Sequence, residues 1–208
     1  MPTVVLRLWL PDLPGTLGRV AAAIGRASGD VVGIEILERG AGMAIDELTV
    51  TLPEGASSDD LIDEVSGVEG VAVEDVHEVA PDRPDQSVLA LDVAARIMEA
   101  TDTERAVTAC ASIREMLESD WCVIIVDEPV AASGEVPDVA WLTAFVAGVR
   151  HLVRDDDAHE HTPSDIAWAP LGATGVTIVS GRVKGAFRLR ERRHLALIAR
   201  IIGSCWPG

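Results

Sequence analysis

Two hydrophobic periods take turns over residues 4–79, and few folds accept the order in which they do so. Val4, Leu6, Leu8 and Leu10 alternate with Val5, Arg7 and Trp9, the period-two pattern of a half-buried strand. Pro11-Asp12-Leu13-Pro14-Gly15 breaks it, and Leu17, Val20, Ala21 and Ile24 then recur at helical spacing, which predicts a helix over about residues 14–27. Ser28-Gly29-Asp30 ends that helix. Val32, Ile34 and Ile36 alternate again, Gly40-Ala41-Gly42 has hairpin composition, and Leu48, Val50 and Leu52 alternate with Glu47, Thr49 and Thr51. After Pro53-Glu54-Gly55, Ser58 is placed to cap a second helix with Leu61, Ile62 and Val65 on one face, and residues 71–79 form a fourth strand. The order β-α-β-β-α-β predicts a ferredoxin-like α+β sandwich with its helices on one face. A sheet this small leaves an edge strand and an uncovered face, so self-association is expected.

The clearest interruption is Ala80-Pro81-Asp82-Arg83-Pro84-Asp85-Gln86, where two prolines and three charges break the periodicity on either side. We read residues 1–80 as one domain, 81–86 as a linker and 87–208 as a second domain. In the second, Val88, Leu91, Ala95 and Met98 form one apolar stripe. Thr101-x-x-Glu104 is a capping-box pattern, with Val107, Cys110, Ile113 and Leu117 behind it. Trp121-Cys122-Val123-Ile124-Ile125-Val126 is continuous apolar sequence, as a buried central strand requires. A helix over residues 139–153, short strands over 166–171 and 175–179, and a last helix from about residue 190 complete an α+β domain with helices flanking an antiparallel sheet.

Composition narrows the partners. The chain has 208 residues, with 17 Lys+Arg against 34 Asp+Glu and a formal net charge of -17. Nucleic acid and acidic membrane surfaces would be repelled. The one dense basic run, Arg188-Leu189-Arg190-Glu191-Arg192-Arg193, reads as a solvated helix start. The first residues, MPTVVLRLWLPDLPG, lack the features of a secretory leader, and no uninterrupted apolar stretch approaches the ~18 residues of a membrane span. Cys110, Cys122 and Cys205 are odd in number and widely spaced, which fits reduced thiols and a cytoplasmic location rather than a disulfide framework.

The Pro11–Gly15 turn carries the most chemistry. A strand runs through a glycine turn into a helix start, where the amides of Gly15, Thr16 and Leu17 and the positive end of the dipole suit a carboxylate. Pro14, lacking an N–H, suits a first helical position. The alternative is that Asp12 caps the helix and Gly15 only serves the turn.

Asp12-Leu13-Pro14-Gly15-Thr16-Leu17, a helix, and Ser28-Gly29-Asp30-Val31-Val32-Gly33-Ile34 together resemble the ACT domain family, over residues 3 to 80. The resemblance implies a regulatory module that binds an amino acid and pairs through its sheet. The ligand would lie at the pair's interface, with Asp12, Leu13, Pro14, Gly15 and Thr16 on its carboxylate side and Asp30, Val31 and Val32 completing the pocket. Binding members often carry Asn where this chain has Asp30. An ionised Asp only accepts hydrogen bonds, so it would hold an ammonium group and repel a nearby carboxylate.

Residues 165–206, with Trp168-Ala169-Pro170-Leu171, a strand over 176–179, Phe187 and a helix carrying Leu195, Ile198, Ala199 and Ile202, resemble the GAF domain family more distantly. That implies a pocket over the sheet lined by Trp121, Trp141, Phe145 and Trp168, residues that otherwise serve as core. His151, His159 and His161 with Asp155, Asp156 and Asp157 are the one combination suited to zinc or manganese, and they lie in a charged segment that reads as a solvated loop. No nucleotide-binding, metalloprotease or hydrolase motif occurs. The expectation is therefore a non-enzymatic, cofactor-free, homodimeric small-molecule sensor. The alternative is a scaffold whose acidic surface docks a basic partner.

Overall fold

The computed structural model describes residues 1–150, 163–172 and 174–206. The chain divides into two compact units, Met1–Asp85 and Gln86–Gly208. In the first, β1 (Thr3–Pro11), α1 (Thr16–Arg26), β2 (Asp30–Gly40), β3 (Met43–Thr51), α2 (Ser58–Ser66) and β4 (Ala72–Val79) follow in order. The sheet order is β2-β3-β1-β4, antiparallel throughout, which is the ferredoxin-like arrangement. Its hairpin is set by Ala41 (φ 50°) and Gly42 (φ 78°), two successive left-handed residues whose twist matches that of the flanking strands. Leu6, Leu8, Leu48 and Val50 on the sheet pack beneath Val20, Ala23 and Ile24 of α1 and Leu61 and Val65 of α2. Gly29 allows the chain to turn from α1 into β2, because a Cβ there would come within 2.8 Å of Val50 Cγ1 and 2.9 Å of Ile24 Cγ2.

Helix starts differ from expectation by a residue or two. α1 begins at Thr16, with Gly15 rather than Asp12 at the N-cap, and Pro14 precedes the helix. The cap of α2 is Ser57, whose Oγ accepts from the Asp59 N–H at 3.1 Å. The proline-rich segment is tied back to the first unit. Arg83 Nη1 donates to Glu47 Oε1 at 3.2 Å while Arg7 Nη2 donates to Glu47 Oε2 at 2.9 Å.

The second unit runs α3 (Gln86–Glu99), α4 (Arg105–Met116), β5 (Trp121–Ile125), β6 (Pro129–Gly134), α5 (Val139–Val149), β7 (Ile166–Pro170), β8 (Thr177–Gly181) and α6 (Leu189–Ser204). Its antiparallel sheet has the order β6-β5-β8-β7. β5 is interior and buried on both faces, which explains its unbroken apolar run. Cys122 and Ile124 join a core with α3, α4 and α6, while Trp121, Val123 and Ile125 join a second core with Leu142, Val146 and Val149 of α5. Thr101 does not cap α4. Its hydroxyl donates to the Glu104 side chain at 2.6 Å, and the helix starts one residue later. No helix among the described residues is long and apolar enough to cross a membrane.

Candidate functional site

At the end of β1 the Asp12 N–H donates to the Gly42 carbonyl at 3.0 Å, which ties the turn to the β2–β3 hairpin. The Leu13 N–H then bonds the Pro11 carbonyl at 2.8 Å. Gly15 takes φ 88°, a left-handed conformation, in open space, so its requirement is backbone freedom rather than room. The Thr16 N–H is consumed by the Leu13 carbonyl at 3.2 Å, and the Gly15 carbonyl accepts from Arg19 at 3.1 Å. No side chain caps the helix. Among the described residues the Gly15, Leu17 and Gly18 amides have no protein acceptor, so they are the N–H groups left for solvent or an anion. Of the expected trio, Gly15 and Leu17 keep their amides free of protein acceptors, and the Thr16 amide does not. The Thr16 side chain is fully buried, its hydroxyl accepting from Arg19 Nη2 at 3.2 Å, whereas Leu13 stands exposed at the tip.

Asp12 faces Arg39 Nε at 3.9 Å. Arg39 also acts on Asp46, which the sequence reading passed over. Asp46 pairs across the sheet with Leu8 and Ile36, in phase with the core residues Ala44 and Leu48, and is only 3% exposed. Its Oδ1 has no hydrogen-bond partner. Burial pushes the Asp46 carboxyl above its ordinary range; Arg39 lowers it and Asp12 raises it. Asp12, Arg39 and Asp46 are thus electrostatically coupled, and Asp12 adjoins the turn that starts α1. The available signal was phase: an acid two residues before Leu48 on the apolar side of a strand.

Within one chain the two halves of the expected pocket do not meet. Asp30 pairs with Thr51, which pairs with Thr3; at the other end Pro11 pairs with Met43, which pairs with Gly40. Eight residues of strand, roughly 26 Å, separate those levels. Asp30, Val31 and Val32 therefore lie at the opposite end of the sheet from Asp12–Thr16. β2 is an edge strand, with Val32, Ile34 and Ile36 exposed along it.

The other candidates resolve into structure. Trp121 and Trp168 are buried in the core beneath α5, and Trp141 stacks on Phe145 at 5.5 Å and meets Trp121 edge-on at 6.5 Å. Cys110 and Cys122 are buried and free. The Cys110 hydrogen bond, followed by burial, pushes the Cys122 thiol well up, which holds it as an unreactive thiol. The basic run is not wholly solvated. Arg192 is buried and donates to the carbonyls of Ile166 (2.6 Å), Phe187, Pro163 and Ser164 (each 3.2 Å). Glu191 pairs with buried Arg182 and accepts from the Arg188 N–H at 2.7 Å. His151, His159, His161 and Asp155–Asp157 lie outside the described residues; among those described, no group of three or more His, Cys, Asp or Glu is placed to hold a metal.

No family model matches the chain, and no curated protein sequence does. Solved structures match at low identity. The ACT domain from GTP pyrophosphokinase of Chlorobium tepidum is 17% identical, with 38% of this chain and 100% of that one covered and a TM-score of 0.29. A formyltetrahydrofolate deformylase from Pseudomonas putida KT2440 is 15% identical over 47% of this chain, which spans 38% of the deformylase, with a TM-score of 0.29. An unknown protein from Galdieria sulphuraria is 13% identical over 98% of this chain and 92% of its own, with a TM-score of 0.34. The fold of the first unit rests on its own strand order.

Proposed function

We propose that the first unit is an ACT-type regulatory module. It binds a small carboxylate-bearing metabolite, an amino acid by the family resemblance, and it acts by binding rather than catalysis. The observation that carries this is the uncapped start of α1, where the Leu17 and Gly18 amides sit beside a left-handed glycine and an exposed Leu13. The site is completed by a second copy. Antiparallel pairing of two β2 edges about Ile34 and Glu35 would set the partner's Asp30 beside Arg39, at the same end of the sheet as the α1 start. Arg39 then offsets the acid that would otherwise repel the ligand carboxylate, and the acid is left to hold the ammonium group. We read the second unit, by its GAF-like pattern, as the element whose population the ligand shifts.

Calorimetry of the full chain against each of the twenty amino acids tests the reading, with Gly15→Asp as control. Saturable heat with at least one of them, lost in Gly15→Asp, supports it. No heat from any at about millimolar concentration, which corresponds to roughly −4 kcal/mol, overturns it.

A further inference from the structure

Residues paired across antiparallel strands share a face of the sheet. Arg39 pairs with Ala44, and Ala44 with Leu10; one step along, Ile36 pairs with Asp46, and Asp46 with Leu8. Ala44, Leu8 and Leu10 belong to the core beneath the helices, so Arg39 and Asp46 stand on that same face. They are diagonal neighbours, a spacing of roughly 7–8 Å that a long side chain spans. Arg39 is exposed on the edge strand, and its Nε lies 3.9 Å from Asp12 Oδ1. One guanidinium thus serves an outer acid at the turn and an inner acid in the core. The inner acid is inaccessible to water, and its Oδ1 has no hydrogen bond. The other charges of the packed elements are turned elsewhere. Glu38 pairs with Ile45 on the opposite face, where Arg7 and Arg83 hold Glu47. On α1, Arg19 donates to the Thr16 hydroxyl and Arg26 to Glu64.

We infer that Asp46 is a proton switch for the start of α1. Neutral, it leaves Arg39 to the turn, where the positive charge favours an arriving carboxylate. Ionised, it draws Arg39 inward and sets its own negative charge against one. The two states are balanced by opposing causes. Burial of a carboxylate with an unbonded oxygen is costly, and Asp12 adds repulsion, while Arg39 favours the ionised form. Because Arg39 belongs to both states, the movement of one side chain is enough to pass between them. By linkage, a carboxylate seated at the α1 start holds the proton on Asp46. The switch regulates the ligand site proposed above and rests on that reading for its use.

The full chain without ligand tests it. From about pH 4 to pH 8 the Asp46 carboxyl carbon is followed by NMR, together with the broadening of the Leu17 and Gly18 amides by two nitroxides, one bearing a carboxylate and one an uncharged carboxamide. The ratio of the two broadenings reports the local concentration of a small carboxylate and requires no binding. It should fall about twofold as Asp46 ionises, the size expected of one charge roughly 8 Å away in water, and with the midpoint of the Asp46 carboxyl. In Asp46→Asn the step at that midpoint should be absent. Arg39→Gln should move the midpoint up and Asp12→Asn should move it down. A ratio that ignores the Asp46 titration, a step that survives in Asp46→Asn, or a midpoint that Arg39→Gln leaves in place overturns the inference. The calorimetric screen fails separately: a chain that binds no amino acid yet shows the step loses the ligand reading and keeps the switch.

Discussion

The two units bury charge in opposite ways. The second buries cations and saturates them: Arg192 serves four carbonyls, and Arg182 serves Leu117, Ala186 and Glu191 while lying 4.1 Å from the Phe187 ring centroid. The first buries acids and treats them unequally. Glu47 is held between Arg7 and Arg83, whereas Asp46, equally inaccessible, lacks a hydrogen bond on Oδ1 and is influenced by Arg39 and Asp12. A buried charge with every bond made is a fastening. A buried charge left short of partners is a cost, and here it is electrostatically coupled to Asp12 in the turn where α1 begins.

The contrast can be broken by substitution. Arg192→Met should have the largest effect, a loss of about 3 kcal/mol in urea unfolding, because it strands several buried carbonyls together. A loss below about 1 kcal/mol would mean that those bonds are replaceable by water. Glu47→Gln should cost about 2 kcal/mol by leaving two mostly buried guanidiniums without their counter-charge. Gly15→Ala should cost about 1 kcal/mol, since φ 88° is strained for any side chain although the space is open. The smallest effect has the opposite sign. The raised Asp46 carboxyl contributes stability that is full below its unfolded value, near pH 4, and is lost as pH rises through its higher folded value. Asp46→Asn should therefore raise the melting temperature at pH 7, and the gain should vanish below about pH 4. A destabilised Asp46→Asn at pH 7 would show that the carboxylate is bonded after all.

Much of the fold was legible because period and punctuation agreed. Alternation over Val4–Leu10 and Leu48–Leu52, with glycines at the hairpin, left little choice of topology. What escaped was set by tertiary contact. The Val88-Leu91-Ala95-Met98 stripe has perfect helical spacing yet faces away from its own core, and spacing alone does not say which of two apolar faces is buried. Arg192 read as a surface charge because no pattern announces four carbonyls converging from the residues before β7, the first residue of β7 and the segment before α6. The helix start was visible in Pro14-Gly15. That the Thr16 amide would be spent on Leu13, leaving Gly15, Leu17 and Gly18, depends on turn geometry, and that Asp30 lies a full strand away depends on register.

The most direct test follows backbone amides by nitrogen–proton NMR while the full chain is titrated with the twenty amino acids in turn. The account predicts that one of them moves the Leu17 and Gly18 resonances saturably, that Arg39 and Asp30 signals move with them, and that the Thr16 amide moves least. If every amino acid leaves the Leu17 and Gly18 amides unshifted, the start of α1 is not a ligand site.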